Sequence, residues 1–130
     1  MGSDPKGSPF SGGHERAEEM KRRIRRNRQV EADLISIYTY IHEKSPAAAE
    51  KVLDGIEQYV RSLLDTPGIG TLWNSPDPRL KGLRVAVVKP YRAYLAFFRA
   101  TPEGIELFRI IHGARELGPL IEELEIDFED

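Results

Sequence analysis

Arg84, Arg92, Arg109 and Arg115, with Lys81, Lys89 and His112, crowd residues 81–115 of this chain. Cleaving RNA without a metal needs a base for the 2′-OH, cations for the developing phosphorane and an acid for the leaving oxygen. The arginines and lysines supply the cations. His112 is the one possible acid or base among them. The residues beyond Arg115 oppose that chemistry: Glu116-Leu117-Gly118-Pro119 leads into an acidic tail, Glu122, Glu123, Glu125, Asp127, Glu129 and Asp130. Negative charge there repels a polyanion unless the tail is held away.

Each candidate also has a plainer role. His112 closes a strand and opens a Gly-containing turn, where its imidazole can hold the turn by bonding a backbone carbonyl. Arg92 follows a turn proline and either reaches a concave face or pairs with an acidic group on a helix, an interaction worth little at a surface. Tyr91 and Tyr94 could stack on a base, but period-two spacing beside Leu95 and Phe97 favours core or half-core packing. Trp73 is either a lid over the core or an anchor for a partner. His42 lies near a helix end, where a partly charged imidazole suits the dipole, and His14 lies in the leader.

Other constellations fail. Gly68-Ile69-Gly70-Thr71 lacks the third glycine of a dinucleotide loop and the Lys-Ser/Thr of a P-loop. His42-Glu43 has no second histidine at helical spacing, and no Gly-x-Ser-x-Gly elbow occurs. No metal or other cofactor is expected. With 130 residues and no cysteine, the chain fits one domain without disulfide or thiolate chemistry. No segment has the roughly 20 apolar residues of a membrane span, so no membrane association and a cytoplasmic location are expected. The net charge of −2 hides a polarised chain, with Lys21, Arg22, Arg23, Arg25, Arg26 and Arg28 at one end and the acidic tail at the other. The basic run fits nucleic acid or an edge strand guarded against aggregation, and the second explanation is the more economical.

The elements that must position these groups are mostly periodic. Residues 1–19 are rich in Gly, Pro, Ser and charge and read as a disordered leader or extension, leaving 20–130 as the domain. Residues 22–28 give a weak first strand. Val30, Leu34, Ile37, Tyr38 and Ile41 recur at helical spacing to about Lys44. Ser45-Pro46 starts a second helix, with apolar positions from Ala49 to Leu63 and a stop at Asp65-Thr66-Pro67-Gly68. After a loop over 68–78 come three strands, Leu83 to Val88, Tyr91 to Arg99 and Ile105 to His112, separated by Lys89-Pro90 and Thr101-Pro102-Glu103-Gly104. A short helix over 118–124 precedes the acidic end. The expected fold class is α+β in the order β-α-α-β-β-β, an antiparallel sheet covered on one face by an antiparallel two-helix hairpin.

That order, with Ala32-Asp33-Leu34, Ile37 and Tyr40-Ile41 in the first helix, Leu83-Arg84 opening a strand, Pro90-Tyr91-Arg92 at the turn and Arg109-Ile110-Ile111-His112-Gly113-Ala114-Arg115 closing the sheet, resembles the ParE/RelE superfamily of type II toxin-antitoxin toxins. The His-Gly-Ala-Arg close is more like the ParE branch, and Met20-Lys-Arg-Arg-Ile-Arg-Arg resembles the usual start of such a toxin. The resemblance implies a plasmid-stabilisation (ParDE-like) toxin that arrests growth by binding DNA gyrase. It also implies a cognate antitoxin, a ribbon-helix-helix ParD-like protein whose binding residues on this chain are unknown. Under it no residue is catalytic, and Tyr91, Arg92, Arg109, His112 and Arg115 form the target surface. The alternative is a RelE-type mRNA endoribonuclease, acting on or off the ribosome, with Arg84, Arg92, His112 and Arg115 as its catalytic set.

Overall fold

β1 (Arg23–Asn27) has no alternation that marks it as a strand, and its neighbours make it one. In the computed structural model, which describes residues 22–129, it runs parallel to β5 (Gly104–His112), with Arg23 opposite Gly104 and Arg26 opposite Leu107. The leader assigned to 1–19 lies outside the described residues. The expected meander is present as β3 (Arg84–Val87), β4 (Tyr94–Thr101) and β5, joined antiparallel. Two short strands extend it, β2 (Thr71–Leu72) and β6 (Phe128–Glu129), giving the order β2-β3-β4-β5-β1-β6. The sheet is therefore mixed rather than wholly antiparallel, because two helices intervene between β1 and the meander and carry the chain back to bring β1 in beside β5.

The helices are those the periodicity predicts, α1 (Gln29–His42) and α2 (Pro46–Ser62). Ser45 caps α2, its Oγ accepting the Ala48 N–H at 3.1 Å, and Pro46 occupies the first turn where no N–H is needed. Ser45→Ala should lower the unfolding free energy by about 1 kcal/mol, read as a smaller urea midpoint with an unchanged slope. Val30, Ile56, Val60 and Leu63 from the hairpin pack on Ala96, Phe98, Ile105 and Leu107 of the sheet.

The opposite face of the sheet is also buried, which the one-sided expectation did not include. Phe97, Phe108 and Ile111 there meet Leu80 and Leu83 from the loop side, and Ile121 and Leu124 from the C-terminal segment. Trp73 stands edge-on to Phe97 at 5.4 Å and so acts as a cover for this second layer. A short helix, α3 (Leu117–Glu122), and β6 complete that cover. The acidic end is thus part of the fold: Asp127 and Glu129 pair with Arg28 at 2.6 and 3.4 Å, and β6 lies antiparallel to β1. Asn27, 1% exposed, fixes the join, donating to the Glu125 carbonyl and accepting the Asp127 N–H.

Most of the described basic run is paired in place. Arg22 meets Asp65, Arg25 meets Glu106 and Arg26 meets Glu57. Arg99 reaches the same Glu106 at 2.8 Å, so one carboxylate bridges two flanking strands. These arginines serve the sheet and its neighbouring elements; β1 is not an edge strand as expected, because β6 closes its outer side at Arg26 and Asn27.

Candidate functional site

A bulge sets the geometry of the site. Phe97 faces Arg109 and Phe98 faces Leu107, so Phe108 is an extra residue on β5. Bulges re-aim neighbouring side chains. Here Arg109 meets Asp33 of α1, with Nε donating to Oδ2 at 2.9 Å and Nη2 to Oδ1 at 2.8 Å. Both side chains are about nine-tenths buried, 10% and 9% exposed. The same Asp33 Oδ2 accepts the Ile110 N–H at 3.0 Å, occupying a donor on the edge of β5 that no strand reaches. Arg109 was expected on the target surface; in the structure its guanidinium is bound through Nε and Nη2 to Asp33, which locks α1 onto the sheet.

Arg84 is also committed, donating from Nε to the Ile69 carbonyl at 3.0 Å and from Nη2 to the Gly70 carbonyl at 3.3 Å. It holds the loop before β2, away from the end of β5. Tyr91 packs on α2 beside Gly55 and donates its hydroxyl to the Lys51 carbonyl at 3.4 Å, tying the β3–β4 turn to the hairpin. His112 does hold its turn, but through Nδ1 accepting the Ala114 N–H at 3.0 Å rather than through a carbonyl. An accepting Nδ1 leaves the proton of the neutral ring on Nε2. Tyr94 stands edge-on to that ring at 5.5 Å.

His112 and Arg115 come together in a groove of about 290 Å³ between α1 and the end of β5. Its walls include Ser36, Ile37, Tyr40 and Tyr94, with Ile110 and Ile111 behind. Tyr40 is 62% exposed, the most open large apolar side chain of the described residues. Arg92 stands exposed on the neighbouring turn, which the Gly113 N–H to Ala93 carbonyl bond at 2.7 Å holds beside the turn of Ala114 and Arg115. The groove thus brings His112 and Arg115 together, with Arg92 on the adjoining turn, Arg109 held behind it on Asp33 and Arg84 on the loop before β2. The sequence did not mark Tyr40, Ser36 or Asp33 as site residues. One signal for Asp33 existed: it falls on the apolar stripe of α1, between Val30 and Ile37, where an unpaired carboxylate is costly.

Burial raises the Tyr94 hydroxyl above its usual pKa, and the nearby Tyr40 phenol adds to the shift. A folded value above the unfolded one, near 10, means a stability contribution complete below about pH 10 and lost as pH rises through the folded value. Tyr94→Phe should therefore flatten the alkaline fall in the urea midpoint between about pH 9 and 11.

Among the described residues, no cluster of three or more His, Asp or Glu is placed to hold a metal ion. No described helix is long and apolar enough to cross a membrane.

Residues 24–117 match the family model described as the ParE toxin of the type II toxin-antitoxin system, parDE. The chain belongs to the ParE toxin family. A solved chain of the chromosomal ParDE toxin-antitoxin system from P. aeruginosa has a similar fold. It is 25% identical, with a TM-score of 0.58, and the match covers 71% of this chain and 96% of that one. No curated protein matches the chain significantly. The protein is thus a ParE toxin of a type II toxin-antitoxin system, and α3 and β6 lie almost wholly beyond the part that the family model matches.

Proposed function

We propose that this ParE-family toxin works in the cytoplasm by binding a protein target, DNA gyrase, without catalysing a reaction, and that a ParD-like ribbon-helix-helix antitoxin neutralises it. The observation that carries the reading is the fate of the cationic residues. Metal-free RNA cleavage needs several free cations around one phosphate together with an acid and a base. Arg109 is buried on Asp33, Arg84 is spent on loop carbonyls, and the His112 Nδ1 is engaged with Ala114. Arg115 remains at a groove with an apolar wall of Ile37, Tyr40 and Tyr94, with Arg92 on the adjoining turn, which suits a protein surface better than a phosphate track.

Induction of the full chain in bacteria, with DNA damage response and global mRNA decay followed in one culture, tests this. The expected result is filamentation with a damage response and stable mRNA, and purified toxin that inhibits gyrase supercoiling. Rapid mRNA loss without a damage response would overturn it in favour of the endoribonuclease.

A further inference from the structure

The two edges of the sheet are built differently. β6 carries Glu129 next to Asp127, and both pair with Arg28, so charge guards that edge. At the β2 edge, residues 66–76 carry no charge. Five large apolar side chains stand open among the described residues, and three of them belong to this edge: Leu72 on β2 at 55% exposed, Ile69 before it at 40% and Val87 on β3 at 37%.

The backbone of β2 is set for a neighbour. The Trp73 N–H donates to the Leu83 carbonyl at 2.8 Å, which extends the pairing of Thr71 with Val85 and Leu72 with Arg84 by one residue. By alternation Thr71 and Trp73 turn their backbone groups toward β3, and the N–H and C=O of Leu72 turn outward, where the sheet order has no further strand. Arg84, a catalytic candidate by its sequence, holds this edge in place by reaching from β3 to the Ile69 and Gly70 carbonyls. Gly70, at φ +84, runs so close to β3 that a Cβ would collide with the Val85 carbonyl oxygen. A strand fixed in this way, with one donor and one acceptor facing out beside an open apolar side chain, matches the mode in which sheets grow by strand addition.

We infer that the occupant is a second copy of this chain: two β2 strands pair antiparallel about a two-fold axis at Leu72 and join their sheets into one. With Leu72 opposite its counterpart, each N–H meets the other's C=O and the two leucine side chains lie side by side. Thr71 of each copy then lies opposite Trp73 of the other, and Gly70 opposite Asn74. The self-complementary register that a two-fold demands therefore brings no like charges together, whereas the acidic β6 edge would set carboxylate against carboxylate. Shortness is the guard that remains on β2. An interface of this length buries less than about 1,200 Å², so the dimer is weak, with a Kd of about 10 µM to 1 mM. β5 lies three strands in from β2, so the dimer leaves the groove beside α1 open on both copies, and the inference does not depend on the toxin's target.

Analytical ultracentrifugation of the purified full chain over about 10 µM to 1 mM tests this, with hydrogen exchange followed by NMR on the same samples. The expected result is a reversible monomer–dimer equilibrium in which protection of the Leu72 amide rises with concentration while the Tyr40 and His112 amides do not change. Leu72→Lys, which sets two ammonium groups across the axis, should weaken the dimer about tenfold or more, and so should Leu72→Glu. Leu72 is 55% exposed, so both variants should keep a dispersed spectrum. An equimolar mixture of the two should recover the dimer, because opposite charges then meet at the axis. Ile35→Lys, at a similarly exposed apolar position on α1, should leave it intact. A dimer indifferent to Leu72→Lys, no recovery in the mixture or a Leu72 amide that stays unprotected would each overturn the inference. So would loss of the dimer in Ile35→Lys, which would move the interface to α1, or a monomer at about 1 mM, which would leave the edge to a different protein. Self-association is read without target or antitoxin, so its failure and the failure of the gyrase assay are separate results.

Discussion

Asp33→Ala should destabilise the toxin by about 3–5 kcal/mol, the usual cost of leaving one member of a buried ion pair without its partner. Three bonds go at once, two from the Arg109 guanidinium and one from the Ile110 N–H. The cavity left by the carboxylate is small. The cost comes mainly from a cation held nine-tenths out of water and an edge amide with nothing to accept it. Thermal unfolding should move down by roughly 10 °C or more. The double variant Asp33→Leu with Arg109→Met should recover much of that loss, because replacing both charges by apolar groups removes the desolvation cost along with the attraction. A single-variant cost below about 1 kcal/mol would mean that water reaches the pair and that α1 is held to the sheet by packing alone.

Gly104→Ala is expected to cost about 3 kcal/mol, the top of the range for a residue forced into a sparsely populated backbone region. Gly104 has φ +150, and a Cβ there would stand 2.0 Å from the Arg23 carbonyl oxygen and 2.8 Å from the Arg23 nitrogen. Those are backbone atoms of β1, so no rotamer change relieves the contact. β1 must shift away from β5, and the Arg23 N–H to Glu103 carbonyl bond at 2.8 Å goes with it. Hydrogen exchange should show the loss first at the amides of residues 23–27, before the β3–β4 ladder responds. Uniform loss of protection across the sheet would instead mean that β1 is cooperative with the whole domain.

Both sites show what one sequence can and cannot say. The hairpin was legible because an apolar stripe of period 3.6 and the Ser45-Pro46 start are local signals. The meander was legible because Lys89-Pro90 and Thr101 to Gly104 punctuate β-branched and aromatic runs. Parallel pairing of β1 was not, since nothing within Arg22 to Arg28 specifies a partner some eighty residues away. β2 and β6 have two residues each and carry no period. Of the candidate site, the co-location of Arg92, His112 and Arg115 followed from the turn at Pro90 and the end of the third strand. Arg109 was misplaced because a strand arginine reads as exposed until a bulge and a carboxylate 76 positions away turn it inward. The second buried face could have been inferred from Phe97, Phe108 and Ile111, which with the helix-side residues leave β4 and β5 apolar on both sides, as in strands covered twice.

The sheet order has a consequence in time. β1 emerges first from the ribosome among the described strands, yet its two neighbours, β5 and β6, are the last to be made. Until residues 104–112 are added, the arginine-rich strand has no ladder, and Asp33 has neither Arg109 nor the Ile110 amide to hold. A nascent chain therefore cannot assemble the groove between α1 and β5 during most of its own synthesis, and a product that stops before β5 cannot assemble it at all. For a member of a toxin family, topology itself delays competence until translation is nearly done.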